Sequence, residues 1–174
     1  VKPSHHITHA DIGECTGLQY HDGAWWAHND SGDGPYLYRS ETLDFKEVEK
    51  LAVPDAKASD WEELAVINGN LLACDIGDNR RARSDLKLYE VKYLSEKGNA
   101  GKLERAATYP VKYPDGKHDC EAAFSADGKL HLIIKNRGEG AHGIYRFDEL
   151  KAGELNTPTK IADFNMDVRE MATA

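Results

Sequence analysis

The chain has 174 residues and a formal net charge of -8. This length suffices for one domain with a hydrophobic core, and the acidic balance argues against a nucleic-acid partner, because phosphate backbones are bound by basic surfaces. No apolar run approaches the ~20 residues that cross a bilayer, so no membrane insertion is expected.

The first predicted unit spans residues 11–54 and opens on "GECTGLQYHDGAWWAHND". Its Asp22-Gly23 dipeptide predicts a tight hairpin, since both central positions of such a turn require positive φ. The strand "AWWAH" follows the turn, and the polar loop "NDSGDG" follows the strand. A tyrosine-centred strand "PYLYRS" and a fourth strand in "EVEKLAVP" complete the unit.

The same order recurs over residues 60–113 and 119–164, and a further copy starts at residue 167. The turns are Asn68-Gly69 and Asp127-Gly128, and the third strands are "LKLYEV" and "GIYRF". Two residue types align between the copies: tyrosines at Tyr38, Tyr89 and Tyr145, and glutamates at Glu14, Glu62, Glu121 and Glu170.

Four short strands per unit of roughly 40–50 residues are typical of a β-propeller blade. The sequence therefore predicts an all-β propeller over residues 1–174, with about three four-stranded blades plus the start of a fourth. The alternative is a β-sandwich, which also strings short strands at regular spacing. Such a partial set cannot close a ring, so remaining blades or a second copy would have to cover the open edges.

Many acidic and amide side chains lie in the predicted loops. In an up-and-down meander successive connections alternate between the two ends of a sheet, so these loops are expected to share one end. These side chains predict a divalent-cation site, most simply for Ca²⁺, which takes about six to eight oxygen ligands. The alternatives are Asx turns within each loop and glutamates that hold neighbouring units together. The candidate ligands are Glu14, Glu62, Asp75, Asp78, Asn79 and Glu121.

Other residues of the same loops are predicted to line a ligand-binding face: Asn29, Asp30, Trp61, Asn136 and Arg137. For Trp61, packing between units is the favoured interpretation, and a place on the ligand-binding face is the alternative. His28 and His118 lie beside acidic residues and are candidate general bases. The basic run "RRAR" at 80–83 is expected to be a solvated loop, with pairing to the acids of "DIGDN" and anion binding as the further possibilities.

The three cysteines show no Cys-x-x-Cys or Cys/His metal spacing, which argues against a zinc site. Three buried free thiols are favoured over one disulfide and one free thiol. The cysteines are Cys15, Cys74 and Cys120.

The segments "WAHNDSGDGPYLY", "DWEELA", "CDIGDNRRAR", "YPDGKHDCEA" and "DVREMATA" resemble a family of largely uncharacterised bacterial β-propeller proteins that are often exported. The resemblance implies a propeller, with a periplasmic or secreted location. More distantly, the acidic channel mouth is similar to six-bladed calcium-dependent lactonases of the gluconolactonase and paraoxonase type. That similarity implies a cation site formed by successive inner strands. It also implies an enzyme that hydrolyses small-molecule substrates, namely esters or lactones. The competing hypothesis is a non-catalytic module that binds a ligand or a protein.

Overall fold

The computed structural model describes residues 6–96, 99–136 and 142–165. Within these ranges the chain forms three four-stranded antiparallel sheets and no helix, which confirms the all-β prediction. The described residues accordingly include no helix long and apolar enough to cross a membrane.

Each sheet is a meander whose strands lie side by side in chain order. The first sheet contains β1 (Cys15–His21), β2 (Ala24–Asn29), β3 (Tyr36–Ser40) and β4 (Glu49–Ala52). The second contains β5 (Trp61–Ile67), β6 (Asn70–Asp75), β7 (Lys87–Glu96) and β8 (Asn99–Pro110). The third contains β9 (Asp119–Ala126), β10 (Lys129–Lys135), β11 (His142–Arg146) and β12 (Thr159–Phe164).

The predicted hairpin turns join the first two strands of each sheet. Both residues of every turn have positive φ, for example 53° at Asn68 and 76° at Gly69. Asn and Asp tolerate this region and Gly enters it without steric cost, so these dipeptides fix the register of the hairpins. The wider spacing of the second unit is explained by β7 and β8, which extend to 10 and 12 residues and pair as far as Glu96 and Asn99.

The sheets stack on one another through their apolar faces. The first strand of the second sheet, β5, lies against both β1 and β9. One core, between the first and second sheets, includes Trp26, Trp61 and Leu71. Another, between the second and third sheets, includes Leu72 and Leu132. Burying one such aliphatic side chain stabilises the fold by roughly 1.5–3 kcal/mol, so the stacking of the sheets is a major source of stability.

The recurring tyrosines are structural residues, since Tyr38, Tyr89 and Tyr145 are each at most 2% exposed. Tyr89 and Tyr145 belong to the two cores between the sheets, and Tyr38 belongs to a third cluster with Ile12 and Phe45. The Tyr38 hydroxyl donates to Asp33 Oδ2 at 2.6 Å, and the Tyr145 hydroxyl donates to Asp115 Oδ2 at 2.6 Å. The aligned tyrosines therefore fasten loops to the body of the sheets.

All three cysteines are free, so the alternative with a disulfide is wrong. Cys74 and Cys120 are buried in the core between the second and third sheets. Cys15 is exposed, contrary to the expectation of three buried thiols. It begins β1. The face of β1 that points away from the second sheet has no neighbouring sheet among the described residues.

An extra residue bulges from the first strand of every sheet. In the first two sheets the register shifts between Cys15 and Gly17 and between Trp61 and Glu63. In the third sheet it shifts between Cys120 and Ala122, which pair with the adjacent residues Ile134 and Ile133. The bulged residues are Thr16, Glu62 and Glu121. By hairpin register the counterpart of Glu62 in the first sheet is thus Thr16, and Glu14 corresponds to Asp60 and Asp119.

Candidate metal centre

Three carboxylates meet where the first and second sheets adjoin. One oxygen from each of Asp30, Asp60 and Glu62 lies within 4.8 Å of the other two. Asp30 follows directly after β2, Asp60 directly precedes β5, and Glu62 is the bulged residue of β5. Glu62 is only 8% exposed, and the other two are half-buried. We refer to these residues as the three-carboxylate cluster.

The bulge and one glycine give the cluster its shape. A bulge re-aims a side chain relative to the regular alternation of a strand. Gly77 follows β6, and its N–H donates to the Asp60 carbonyl at 3.1 Å. A Cβ at Gly77 would lie 2.3 Å from Glu62 Oε1 and 2.5 Å from Asp60 Oδ2. The "DIGDN" segment therefore places bare backbone against the carboxylates of "DWE", which leaves room for both side chains.

Two carboxyl groups of the cluster have raised pKa values. Burial raises the pKa of Glu62 to about 9, and the charges of Glu121 and Asp60 add to the effect. Burial also raises the pKa of Asp60 to about 6, with Asp30 as the next cause. Carboxyl groups resist ionisation when they are desolvated beside like charges. At neutral pH the cation-free cluster therefore retains a proton on Glu62.

Asp75, a predicted ligand, supports the cluster instead of joining these three carboxylates. It is 1% exposed and forms an ion pair with Arg83 Nη2 at 2.8 Å. Its Oδ1 also accepts the N–H of Asp60 at 2.9 Å. Of the interpretations of "RRAR", pairing with the acids of "DIGDN" holds for Arg83, whose Nη1 additionally donates to the Gly77 carbonyl at 2.7 Å.

Asp78 organises the loop that follows β6. Its two carboxylate oxygens accept the backbone N–H groups of Ala82 at 2.8 Å and Arg83 at 3.0 Å. Its own N–H donates to Asp119 Oδ1 at 3.0 Å, which ties this loop to the third sheet. Such hydrogen bonds from backbone N–H groups to an Asp side chain are of the Asx type, which the sequence analysis gave as the alternative to cation binding.

The remaining predicted ligands surround the cluster in different ways. Glu121 forms an ion pair with Lys135 at 3.1 Å, although its charge still acts on Glu62. Glu14 is exposed, and its backbone N–H donates to Asn29 Oδ1 at 3.2 Å. Asn79 is also exposed. Glu121, Glu14 and Asn79 are not among the three clustered carboxylates.

The predicted ligand-face residues divide between the cluster, the loops and the core. Asp30 belongs to the cluster, and Asn29 stabilises the first loop by donating to Asp11 O at 2.7 Å. Trp61 is fully buried, and its Nε1 donates to the Lys57 carbonyl at 2.9 Å, so it serves packing between sheets. Asn136 Oδ1 accepts a hydrogen bond from Arg81 at 3.1 Å. Arg137 and Glu170 lie outside the described residues.

The two candidate bases have different surroundings. His28 is fully buried, with Nδ1 2.8 Å from the Asn29 carbonyl and its ring edge-on to Trp61. Burial lowers the pKa of His28 and keeps the imidazole neutral. The side chain of His118 is 20% exposed, and its Nε2 lies 2.9 Å from Asp115 Oδ1. Of these two histidines, only His118 is accessible to a solute.

Asp60 was not among the predicted ligands, although "DWE" carries a signal for it, because acids at alternate positions of a strand point to the same face. The structure adds a bulge at Glu62, which interrupts the regular alternation at this point. Bulges have no reliable sequence signature apart from local glycines.

Comparison with known proteins identifies no matching family and no matching curated protein. The cluster offers hard oxygen donors, is half-buried to buried, and has an excess of negative charge, which is the combination that divalent cations stabilise.

Proposed function

We propose that the chain is a divalent-cation-binding domain of the β-propeller type and that Asp30, Asp60 and Glu62 bind the ion. The observation that supports this most strongly is the mutual approach of three carboxylate oxygens to within 4.8 Å in a partly buried position. Repulsion among such groups destabilises the folded chain, and a bound cation removes it.

Calcium is the cation that best fits the donor set. Opposite ligands of Ca²⁺ are about 4.6–5.2 Å apart, since each bond is about 2.3–2.6 Å long. Three oxygens mutually within 4.8 Å can thus share one ion. Mg²⁺ requires shorter bonds in near-ideal octahedral geometry, and zinc sites usually include nitrogen or sulfur ligands. The three-carboxylate cluster contains neither nitrogen nor sulfur.

The propeller assignment is supported by the repeated meander and by the contacts of β5 with β1 and β9. In a propeller the first strand of each blade faces the central channel. The cluster at the start of β5 would then lie at the channel mouth, where an ion would join the first sheet, through Asp30, to the second, through Asp60 and Glu62.

Hydrolysis of small esters or lactones is a further step that the cation site alone does not require. A hydrolase needs a general base that reaches the substrate. His28 is buried, and the accessible His118 lies beside Asp115, which is not one of the three clustered carboxylates. Cation binding is therefore the function proposed here, and a non-catalytic module that binds a ligand or a protein is the competing function. Turnover of a chromogenic ester and a small lactone, assayed with and without calcium, discriminates between the two.

Thermal melting during a calcium titration tests the proposed site. A cation at 100 times its Kd is expected to add about 2.7 kcal/mol to the free energy of unfolding. The resemblance implies an exported protein, and extracellular calcium sites have Kd values of about 10⁻⁴–10⁻³ M, so the titration should extend into the millimolar range.

The affinity should also depend on pH, because the ion must displace the proton of Glu62, whose pKa is about 9. Between about pH 6.5 and 8.5 the affinity is expected to rise up to tenfold per pH unit as one proton is released. An affinity that stays constant over this range, or a melting temperature that calcium does not change, would count against the site.

A further inference from the structure

A cavity of about 510 Å³ lies at the boundary of the second and third sheets. Its walls come from the loop that follows β6, the segment that leads from β8 to β9, and the segment between β11 and β12. All the residues that line it belong to the described part of the chain, and none belongs to the three-carboxylate cluster. The volume is within the range of about 300–1,000 Å³ that is usual for small-molecule sites.

The floor of the cavity is apolar. Leu86, Val111 and Tyr113 line it and are each at most 5% exposed. Leu155 lines the rim and is 62% exposed, an unusual fraction for a leucine. An apolar ligand in the cavity would cover Leu155 and remove its side chain from water, which favours binding.

The rim also carries positive charge that no carboxylate neutralises. Lys112 and Lys117 line the cavity and are exposed. The Lys117 ammonium donates to the Ala82 carbonyl, which is a neutral acceptor. Among the described residues neither lysine forms an ion pair. The one carboxylate of the lining, Asp78, is 3% exposed and already accepts two backbone N–H groups.

The rim is held in place by the residue that follows Leu155. The N–H of Asn156 donates to the Pro110 carbonyl at 2.8 Å, and its carbonyl accepts the N–H of Lys112 at 3.0 Å. The Asn156 side chain is buried, and its Nδ2 donates to the Glu154 carbonyl at 2.7 Å. The cavity is therefore formed before a ligand arrives, which lowers the entropic cost of binding.

We propose that this cavity binds a small carboxylic acid with an apolar body, in its ionised form. The apolar body lies against Leu86, Val111 and Leu155, and the carboxylate pairs with Lys112 and Lys117. The chain has a net charge of -8, so an exposed pair of uncompensated ammonium groups beside an apolar floor distinguishes this place from the rest of the acidic molecule. The inference does not depend on the cation site.

Isothermal titration calorimetry of the full chain with octanoate and with 4-phenylbutyrate tests the site. A chelator is included, so that calcium cannot bridge the acids to the three-carboxylate cluster. At least one acid is expected to bind with one-to-one stoichiometry, and its neutral amide about tenfold more weakly, since charge-assisted hydrogen bonds are the stronger ones. The affinity for the acid should fall as sodium chloride is raised from about 50 mM to about 500 mM.

Substitutions at the exposed rim locate the binding. Lys112→Met and Lys117→Met should each weaken binding of the acid about threefold to tenfold and leave binding of the amide unchanged. Leu155→Ala should weaken both ligands, because it removes apolar contact area. The matched control is Lys57→Met, at an exposed lysine in the corresponding segment before β5 and outside the cavity lining.

Thermal melting of each variant checks that it is folded, and the control should bind the acid like the wild-type chain. The proposal is overturned if neither acid binds at concentrations up to about 10 mM, a range that covers affinities weaker than the about -4.1 kcal/mol of a 1 mM Kd. It is also overturned if the acid and its amide bind equally, or if Lys57→Met weakens binding as much as Lys112→Met and Lys117→Met.

Discussion

Replacing Glu62 with Gln is expected to raise the stability of the cation-free protein and to abolish its stabilisation by calcium. The pKa of Glu62 is about 9 in the folded chain, well above its ordinary value of 4.5. The stability that the retained proton contributes is complete below about pH 4.5 and is lost as the pH rises toward 9. At about pH 8, Gln should therefore add about 1–3 kcal/mol to the free energy of unfolding in the absence of cations.

Urea denaturation with a chelator, repeated with millimolar calcium, measures both effects. Glu41→Gln is a suitable control, because that carboxylate is 80% exposed and lies 3.9 Å from Arg39 at the surface. The control should keep both the wild-type stability and the calcium response. A Glu62→Gln protein that loses stability without calcium, or that still responds to calcium, would contradict the assignment of Glu62 as a ligand.

Replacing Arg83 with Met is expected to destabilise the fold by about 3–5 kcal/mol, the usual cost of leaving one partner of a buried ion pair uncompensated. The guanidinium lies 2.8 Å from Asp75, which is 1% exposed, and it donates to the Gly77 carbonyl. Without it, Asp75 would be a buried charge close to Asp60. Equilibrium unfolding in urea at neutral pH gives the change directly.

Arg81→Met is the matched control from the same basic run. Arg81 is exposed and donates to Asn136 Oδ1 at 3.1 Å, so its removal should change stability by about 0.5 kcal/mol or less. In a double-mutant cycle, adding Asp75→Asn to Arg83→Met should recover part of the loss, because it removes the unpaired charge. Equal, small effects of the two Arg substitutions would show that the Arg83–Asp75 pair does not support this region.

The arrangement of strands was largely predictable because its signals are local. The Asn-Gly and Asp-Gly turns require positive φ and fixed the hairpins, and apolar strands around an aligned tyrosine followed each turn. The extension of β7 and β8 comes from continued pairing between the two strands, which the repeated motifs do not indicate. The exposure of Cys15 depends on what covers β1, which composition does not reveal.

The candidate site was predictable in its location but not in its membership. Acids flanking the hairpins indicated one acidic region, and Glu62 and Asp30 are part of it. Aligning glutamates placed Glu14 with Glu62, whereas the bulge places Thr16 there. Asp75, a predicted ligand, forms an ion pair with Arg83. The sequence did not single out this partner, because Arg83 lies in an irregular loop.

A crystal structure of the protein grown with calcium, with anomalous scattering recorded to locate the ions, tests the cation site most directly. The account predicts one ion with oxygens of Asp30, Asp60 and Glu62 at about 2.3–2.6 Å. If the ion binds only elsewhere, or if the cluster stays empty at millimolar calcium and a pH near 8, the proposed metal centre is wrong.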